Sequence, residues 1–231
     1  ATSTLSMQVE PAAAMDVADL EVRAMVGSVA NLTHLGGGRV TALYTAPPVN
    51  YPHLDIVTVV DKRDPSRLFA QLTLPLVGRA DFPVAATAGS SVLLTVGERE
   101  FGPVVADAQG RAVLPLEVPP GVGVATVTTP QGSSQLDLGI PPFAQAAFIT
   151  PYQGVPGDPS IQVPLRLVVA TALGEPDSEA RPAVQASAGT LGEPVYEGNG
   201  VYRVDFTPPV VAVPTAVQLL ATLPGGSEDH R

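Results

Sequence analysis

The sequence predicts an all-β chain of tandem β-sandwich modules, and three observations carry that reading. Short stretches that alternate apolar and polar residues recur along the chain, each bounded by glycine or proline turns. No segment shows an apolar stripe of period 3.6 that would mark a helix packed on a core. One strand-and-turn pattern is also written twice. Gly36-Gly37-Gly38-Arg39-Val40-Thr41-Ala42-Leu43-Tyr44-Thr45-Ala46-Pro47-Pro48 returns as Gly198-Asn199-Gly200-Val201-Tyr202-Arg203-Val204-Asp205-Phe206-Thr207-Pro208-Pro209. Each copy is a glycine turn, a strand with an aromatic near its end, and a proline stop, since proline cannot donate to a ladder.

Taken in order, residues 4–9 alternate Leu5, Met7 and Val9 against Ser6 and Gln8, a strand, and residues 10–19 read as a loop. Strands follow at 20–26, 40–45, 56–60 and 68–74, the last two joined by the turn Asp61-Lys62-Arg63-Asp64-Pro65-Ser66. After Ala80-Asp81-Phe82-Pro83, strands are expected at 91–96, 104–106, 112–118, 122–128 and 135–138, with Asp107-Ala108-Gln109-Gly110 as a turn. A third group covers 147–150, 161–171, 183–188, 201–206 and 216–223, and the polar tail from Gly225 is expected to be mobile. The expected modules are 1–79, 80–142 and 143–231. Short proline-bearing linkers act as semi-rigid spacers, so the expected arrangement is an elongated array.

The repeat fixes a register. Gly27 and Gly189 stand 162 positions apart (189 − 27), and the same offset pairs Leu5 with Leu167, Val22 with Val184, Gly36 with Gly198, Tyr44 with Phe206 and Pro47 with Pro209. Agreement of glycines, a proline and an aromatic without a gap makes the first and third modules one fold used twice. In this register the third module has about twenty extra residues, near 143–162, so the first lacks an opening strand. Its last strand, 68–74, would match positions from 230 onward. Three readings fit: the chain is a piece of a longer array, the fold tolerates missing edge strands, or the open edge at each end is completed by a strand from a neighbouring molecule, β-augmentation that builds a head-to-tail polymer.

The totals restrict function. The 231 residues contain no cysteine, which removes disulfides and thiolate metal sites. The net charge of −10 disfavours nucleic acid and anionic lipid as partners. No run of about 18 apolar residues occurs to insert in a membrane. No basic-then-apolar leader stands at Ala1, and Ala-Thr-Ser-Thr suits a mature terminus.

The run at 198–209 and the strand-closing Gly27 and Gly189 resemble bacterial immunoglobulin-like repeats of the invasin and intimin type, and more loosely filamin-type repeats. Asp107-Ala108-Gln109-Gly110-Arg111-Ala112 is similar to the Asp-x-x-Gly-x-Ala turn common in those modules, although the middle module is short and the chain has no tryptophan. The resemblance implies immunoglobulin-like β-sandwiches in an extracellular, cell-surface or periplasmic bacterial protein: a spacer, adhesin stalk or envelope-assembly component. The single lysine, Lys62, among arginines, with the alanine, valine, glycine and proline richness, agrees with a high-GC bacterial source.

Candidate chemistry is sparse. His34, His53 and His230 share no metal-ligand spacing. No Gly-x-Ser-x-Gly elbow or phosphate loop is present, and Gly36-Gly37-Gly38 precedes a strand rather than a helix. The best metal candidate is calcium held by Asp55, Asp61 and Asp64, carboxylates flanking one strand and its turn. Glu175, Asp177 and Glu179 form a weaker one. Asn31-Leu32-Thr33 matches a glycosylation acceptor that a bacterial source would leave idle. Tyr51 and Tyr152, each beside proline, are candidate contact residues or loop plugs. The resulting expectation is a non-catalytic structural or binding segment that works through protein–protein contacts, including self-association or neighbouring subunits. The alternative is an accessory carbohydrate-binding module of a larger secreted enzyme.

Overall fold

The computed structural model describes residues 2–8, 17–63, 68–141, 143–150, 154–224 and 228–230. Alternation of apolar residues becomes pairing first in β1 (Thr2–Gln8), β2 (Leu20–Ala24), β3 (Ser28–Gly36), β4 (Arg39–Thr45), β5 (His53–Asp61) and β6 (Leu68–Leu76). Two three-stranded sheets result, β1-β4-β3 and β2-β5-β6. Leu5, Met7, Val40, Ala42 and Tyr44 are buried on the first sheet. The strand β3 was not legible as one. Asn31 adopts φ 54°, and the β3–β4 register shifts between Ala30 and Thr33 and again between His34 and Gly36, so bulges break the period of two.

The middle of the chain supplies β7 (Gly78–Ala85), β8 (Ser91–Val96), β9 (Arg99–Val105), β10 (Arg111–Val118), β11 (Val124–Thr129) and β12 (Gly132–Asp137). They form a sheet β10-β7 and a sheet β12-β11-β8-β9 around Val92, Leu94, Val96, Ala112, Leu114 and Leu116. The proline-bearing stretch expected to be a linker is β7, paired residue for residue with β10 from Arg111↔Ala85 to Val118↔Gly78. Proline is tolerated on an edge strand, where its missing donor faces away from the partner.

The last third contains β13 (Ala146–Ile149), β14 (Val163–Val169), β15 (Ala183–Ala186), β16 (Thr190–Leu191), β17 (Val195–Gly198), β18 (Val201–Thr207), β19 (Leu219–Thr222) and β20 (Glu228–His230). One sheet runs β13-β14-β18-β16, with β17 also on β18, and the other runs β15-β19-β20. Phe148, Leu165, Leu167, Val204, Phe206 and Ala221 lie in the core between them. The tail expected to be mobile carries β20, which pairs Glu228–His230 with Thr222–Leu220.

The offset of 162 maps β1 onto β14, β2 onto β15, β4 onto β18 and β5 onto β19. For β4 and β18 the bounds coincide residue for residue.

The chain divides into two compact units, one of residues 1–47, 54–74 and 143–231 and the other of 48–53 and 75–142. This differs from three separate modules, and β5 supplies the physical reason within the first unit. Every residue from Leu54 to Asp61 is buried. The face bearing Asp55 meets β4, through Tyr44. The opposite face places Ile56 and Val60 in one cluster with Ala147, Ile149, Val168 and Val201. The strand β5 is thus packed on both sides, and strands of the first and last thirds of the chain share this apolar cluster. Burying each large aliphatic side chain there contributes roughly 1.5–3 kcal/mol.

Candidate functional site

Of the residues singled out in the sequence, Asp55 has the most developed surroundings. It is fully buried on β5. The Tyr44 hydroxyl donates to its Oδ2 at 2.7 Å, and the backbone N–H groups of Val26 and Gly27 donate to Oδ1 at 2.9 Å and Oδ2 at 2.8 Å. A buried carboxylate is tolerated when its lone pairs are filled in this way. Burial, then the hydrogen bond to Asp55 and its charge, push the Tyr44 phenol well above its ordinary value. Gly27 completes the arrangement, because a Cβ there would stand 2.6 Å from the Tyr44 ring. The cluster ties the β2–β3 turn to β4 and β5, and its chemistry is that of a structural latch.

Asp61 is six residues further along the same strand, about 20 Å away at the usual rise per residue. Its carboxylate accepts from the backbone N–H and side chain of Arg63, and Arg63 also reaches Asp19 at 3.0 Å. The Lys62 backbone N–H donates to the Asp19 carbonyl at 2.7 Å. This clamps the end of β5 onto the 3-10 turn Val17–Asp19. Asp64, the third carboxylate of the expected calcium set, lies outside the described residues. Asp55 and Asp61 do not converge, because they are a strand's length apart and each holds its own donors. In the weaker set, Asp177 accepts the N–H groups of Glu179 and Ala180 at 2.9 Å each, a turn-forming use of the carboxylate. Among the described residues no group of three metal-ligating side chains comes together.

The other candidates are scattered. Tyr51 is 43% exposed and its ring lies 4.4 Å from that of His53. Tyr152 lies outside the described residues. His34 is half-buried on β3, and Tyr196, its counterpart in the repeat, packs on Tyr202 at 5.2 Å. Asn31 sits at the β3 bulge.

The latch had a signal in the sequence that motif reasoning passes over. The offset that pairs Tyr44 with Phe206 also pairs Asp55 with Val217. A hydroxyl and a carboxylate are absent together from the second copy, the mark of two groups that depend on each other.

Two features face solvent. In the second unit an open cleft of about 730 Å³ is lined by Asn50, Arg79, Asp81, Phe101, Leu116 and Glu117. Glu117 there takes Arg79 on one oxygen at 2.9 Å and Arg99 on the other at 3.0 Å. In the first unit β1 is, among the described residues, the end strand of its sheet.

No protein-family model matches the sequence, and no curated protein matches it. Among solved structures, the Escherichia coli adhesin FdeC is similar over 98% of this chain and 93% of that one, with 13% identity and a TM-score of 0.31. Invasin, a bacterial integrin-binding protein, is similar over 100% of this chain and 59% of that one, with 10% identity and a TM-score of 0.28. Both likenesses are faint. Among the described residues no helix is long and apolar enough to cross a membrane.

Proposed function

We propose that this chain is a non-catalytic segment of an exported bacterial cell-surface or envelope protein, serving as spacer, adhesin stalk or assembly subunit through protein–protein contacts. The observation that carries the reading is the duplicated sandwich with its shared core at Ile56, Val60, Ala147, Ile149, Val168 and Val201. The buried carboxylate inside it holds strands together, so what the molecule offers to a partner is strand edges and loop tips. The immunoglobulin-like glycine–aromatic–proline run at 198–209 supports the same reading. Protease shaving of intact cells of the source bacterium tests it. Peptides from this chain are expected in the released fraction while cytoplasmic markers stay inside, and a chain found solely in the cytosol overturns it.

The cleft between Asn50, Asp81, Phe101 and Glu117 favours a second reading, an accessory carbohydrate-binding module. Planar polar groups beside one aromatic ring suit a sugar. A glycan array separates the two. Binding that is lost in Phe101→Ala would support the sugar site, and a blank array leaves the protein-contact reading in place.

A further inference from the structure

We propose that the second unit is spliced into the first so that tension along the chain bypasses it, and that parting of the first and last thirds of the chain is the event that hands the load over. The inference rests on the reading of this chain as a stalk, and it gives that stalk a length held in reserve.

The chain leaves the first unit for the second at two places, through residues 48–53 and through residues 75–142, and returns each time. Contacts inside the first unit bridge the base of both excursions. Across 48–53, the Tyr44 hydroxyl donates to Asp55 Oδ2 at 2.7 Å. Across 75–142, Arg23 Nη1 donates to the Thr150 carbonyl at 3.0 Å. Gln71 Nε2 and Thr73 Oγ1 donate to the carbonyls of Asn199 and Gly174. Ile56 and Val60 add their apolar contact with Ala147, Ile149, Val168 and Val201. A loop whose base is tied carries no tension when the chain is pulled outside it. Every residue of the second unit lies in one of these two loops.

The two ties differ in kind. The first lies within one sandwich, where Asp55 also takes the backbone N–H groups of Val26 and Gly27. The second joins strands that share no sheet: β1-β4-β3 and β2-β5-β6 stand on one side, the sheets of the last third on the other. Among the described residues it consists of a small apolar cluster rimmed by side-chain hydrogen bonds to carbonyls. Opening it breaks no strand ladder, whereas opening either sandwich does. The segments with the fewest buried contacts open first, so this tie parts before the sandwiches unravel. Arg23, Gln71 and Thr73 then find water in place of their carbonyls, and the two faces can rejoin when tension falls.

Once the tie has parted, residues 75–142 come under load. These 68 residues (142 − 75 + 1) span at most about 220–245 Å when fully extended. The reserve is released only after the docked thirds have separated.

The test is single-molecule force spectroscopy on the full chain held at its two termini. In the wild type, the step of the second unit is expected always to follow the first event, and the two steps in random order overturn the proposal. Leu114→Ala hollows the core of the second unit, where Leu114 is fully buried. Its effect is checked by hydrogen exchange, where protection of that unit is expected to fall at least about tenfold. Under force, the second unit of this variant is expected to open more easily yet still second, with the first event at the wild-type force. With both units in series the weakened unit would open first, and that outcome also overturns the bypass. If Leu114→Ala leaves the second unit without any protection, Val92→Ala takes its place. Ile56→Gln/Val60→Thr is expected to speed the first event at least about tenfold at a given force and leave exchange in the second unit unchanged. A first event indifferent to that change overturns the assignment of the tie. The order of steps is read on purified chain and cell-surface exposure in the shaving experiment, so failure of one is distinguishable from failure of the other.

Discussion

The two copies of the sandwich share one frame and differ in what they do with its outer face. In the first, Leu54, Ile56, Thr58 and Val60 on the outward side of β5 are all buried. In the second, the equivalent positions are Ala216, Gln218, Leu220 and Thr222, with Gln218 exposed and the others exposed or half-buried. A strand can keep the same inner face, register and neighbours and still be either a surface or the middle of a larger core. A handful of side chains on the other face decides which.

The difference predicts an asymmetry under exchange. Ile56→Gln/Val60→Thr copies the second face onto the first and places a long amide in an apolar cluster. It is expected to cost about 3–5 kcal/mol, read as a loss of urea midpoint. The reverse exchange, Gln218→Ile/Thr222→Val, is a surface change expected to stay within about 0.5 kcal/mol. Equal effects in the two copies would erase the distinction.

The inner faces differ by one polar pair. Asp55→Val alone strands the Tyr44 hydroxyl and two backbone N–H groups in the core and is expected to cost about 3 kcal/mol. Tyr44→Phe added to it copies the Phe206/Val217 pair and is expected to recover at least 1 kcal/mol of that loss, measured as non-additivity in a double-mutant cycle. Additive losses would mean that the hydroxyl and the carboxylate act independently.

The two glycines under the aromatic rings sharpen the comparison further. Gly189 has φ +78°, and a Cβ there would meet the Thr207 carbonyl oxygen at 2.6 Å and the Phe206 ring at 2.8 Å. Gly27 meets the same kind of ring without the left-handed backbone. Alanine is therefore expected to cost about 2–3 kcal/mol at 189 and about 1–2 kcal/mol at 27, from thermal unfolding of each variant.

The smallest effect is alkaline. Tyr44 holds its proton above the ordinary phenol value of 10.0. Above that pH the unfolded chain releases the proton while the folded chain keeps it. The folded state then binds more protons, and stability falls as pH rises. Tyr44→Phe is expected to flatten the decline in urea midpoint between pH 9 and 11, and an unchanged slope would assign the decline to other groups.

Much of this frame was legible in the residues. The strands at 20–24, 39–45 and 201–207 announce themselves by alternation and by the turns beside them, and the offset of 162 aligns them without a gap. β5 was also legible in a way alternation misses. Leu54-Asp55-Ile56-Val57-Thr58-Val59-Val60 is nearly continuous in apolar residues, as a strand covered on both sides should be. What was not legible has local causes. β3 loses its period at a bulge around Asn31, and β7 hides behind Pro83. The Asp55 latch depends on a turn and a strand from elsewhere in the chain, so no spacing rule points to it. Acidic residues near a turn suggest calcium, yet the same carboxylates serve equally well as acceptors for backbone N–H groups. Only their surroundings distinguish the two uses.

The double covering of β5 has a consequence in time. Ninety-one residues separate Ile56 from Ala147, the first of its partners on the outward side, and Val168 and Val201 come later still. At roughly 5–20 residues per second of synthesis, that side of the strand is uncovered for about 5–18 s after it is made. The first sandwich therefore emerges from the ribosome with an apolar stripe that its own chain cannot yet hide. The copy that waits longest for its cover is the one made first, and the final third of the chain acts on it as a late-arriving chaperone built into the sequence.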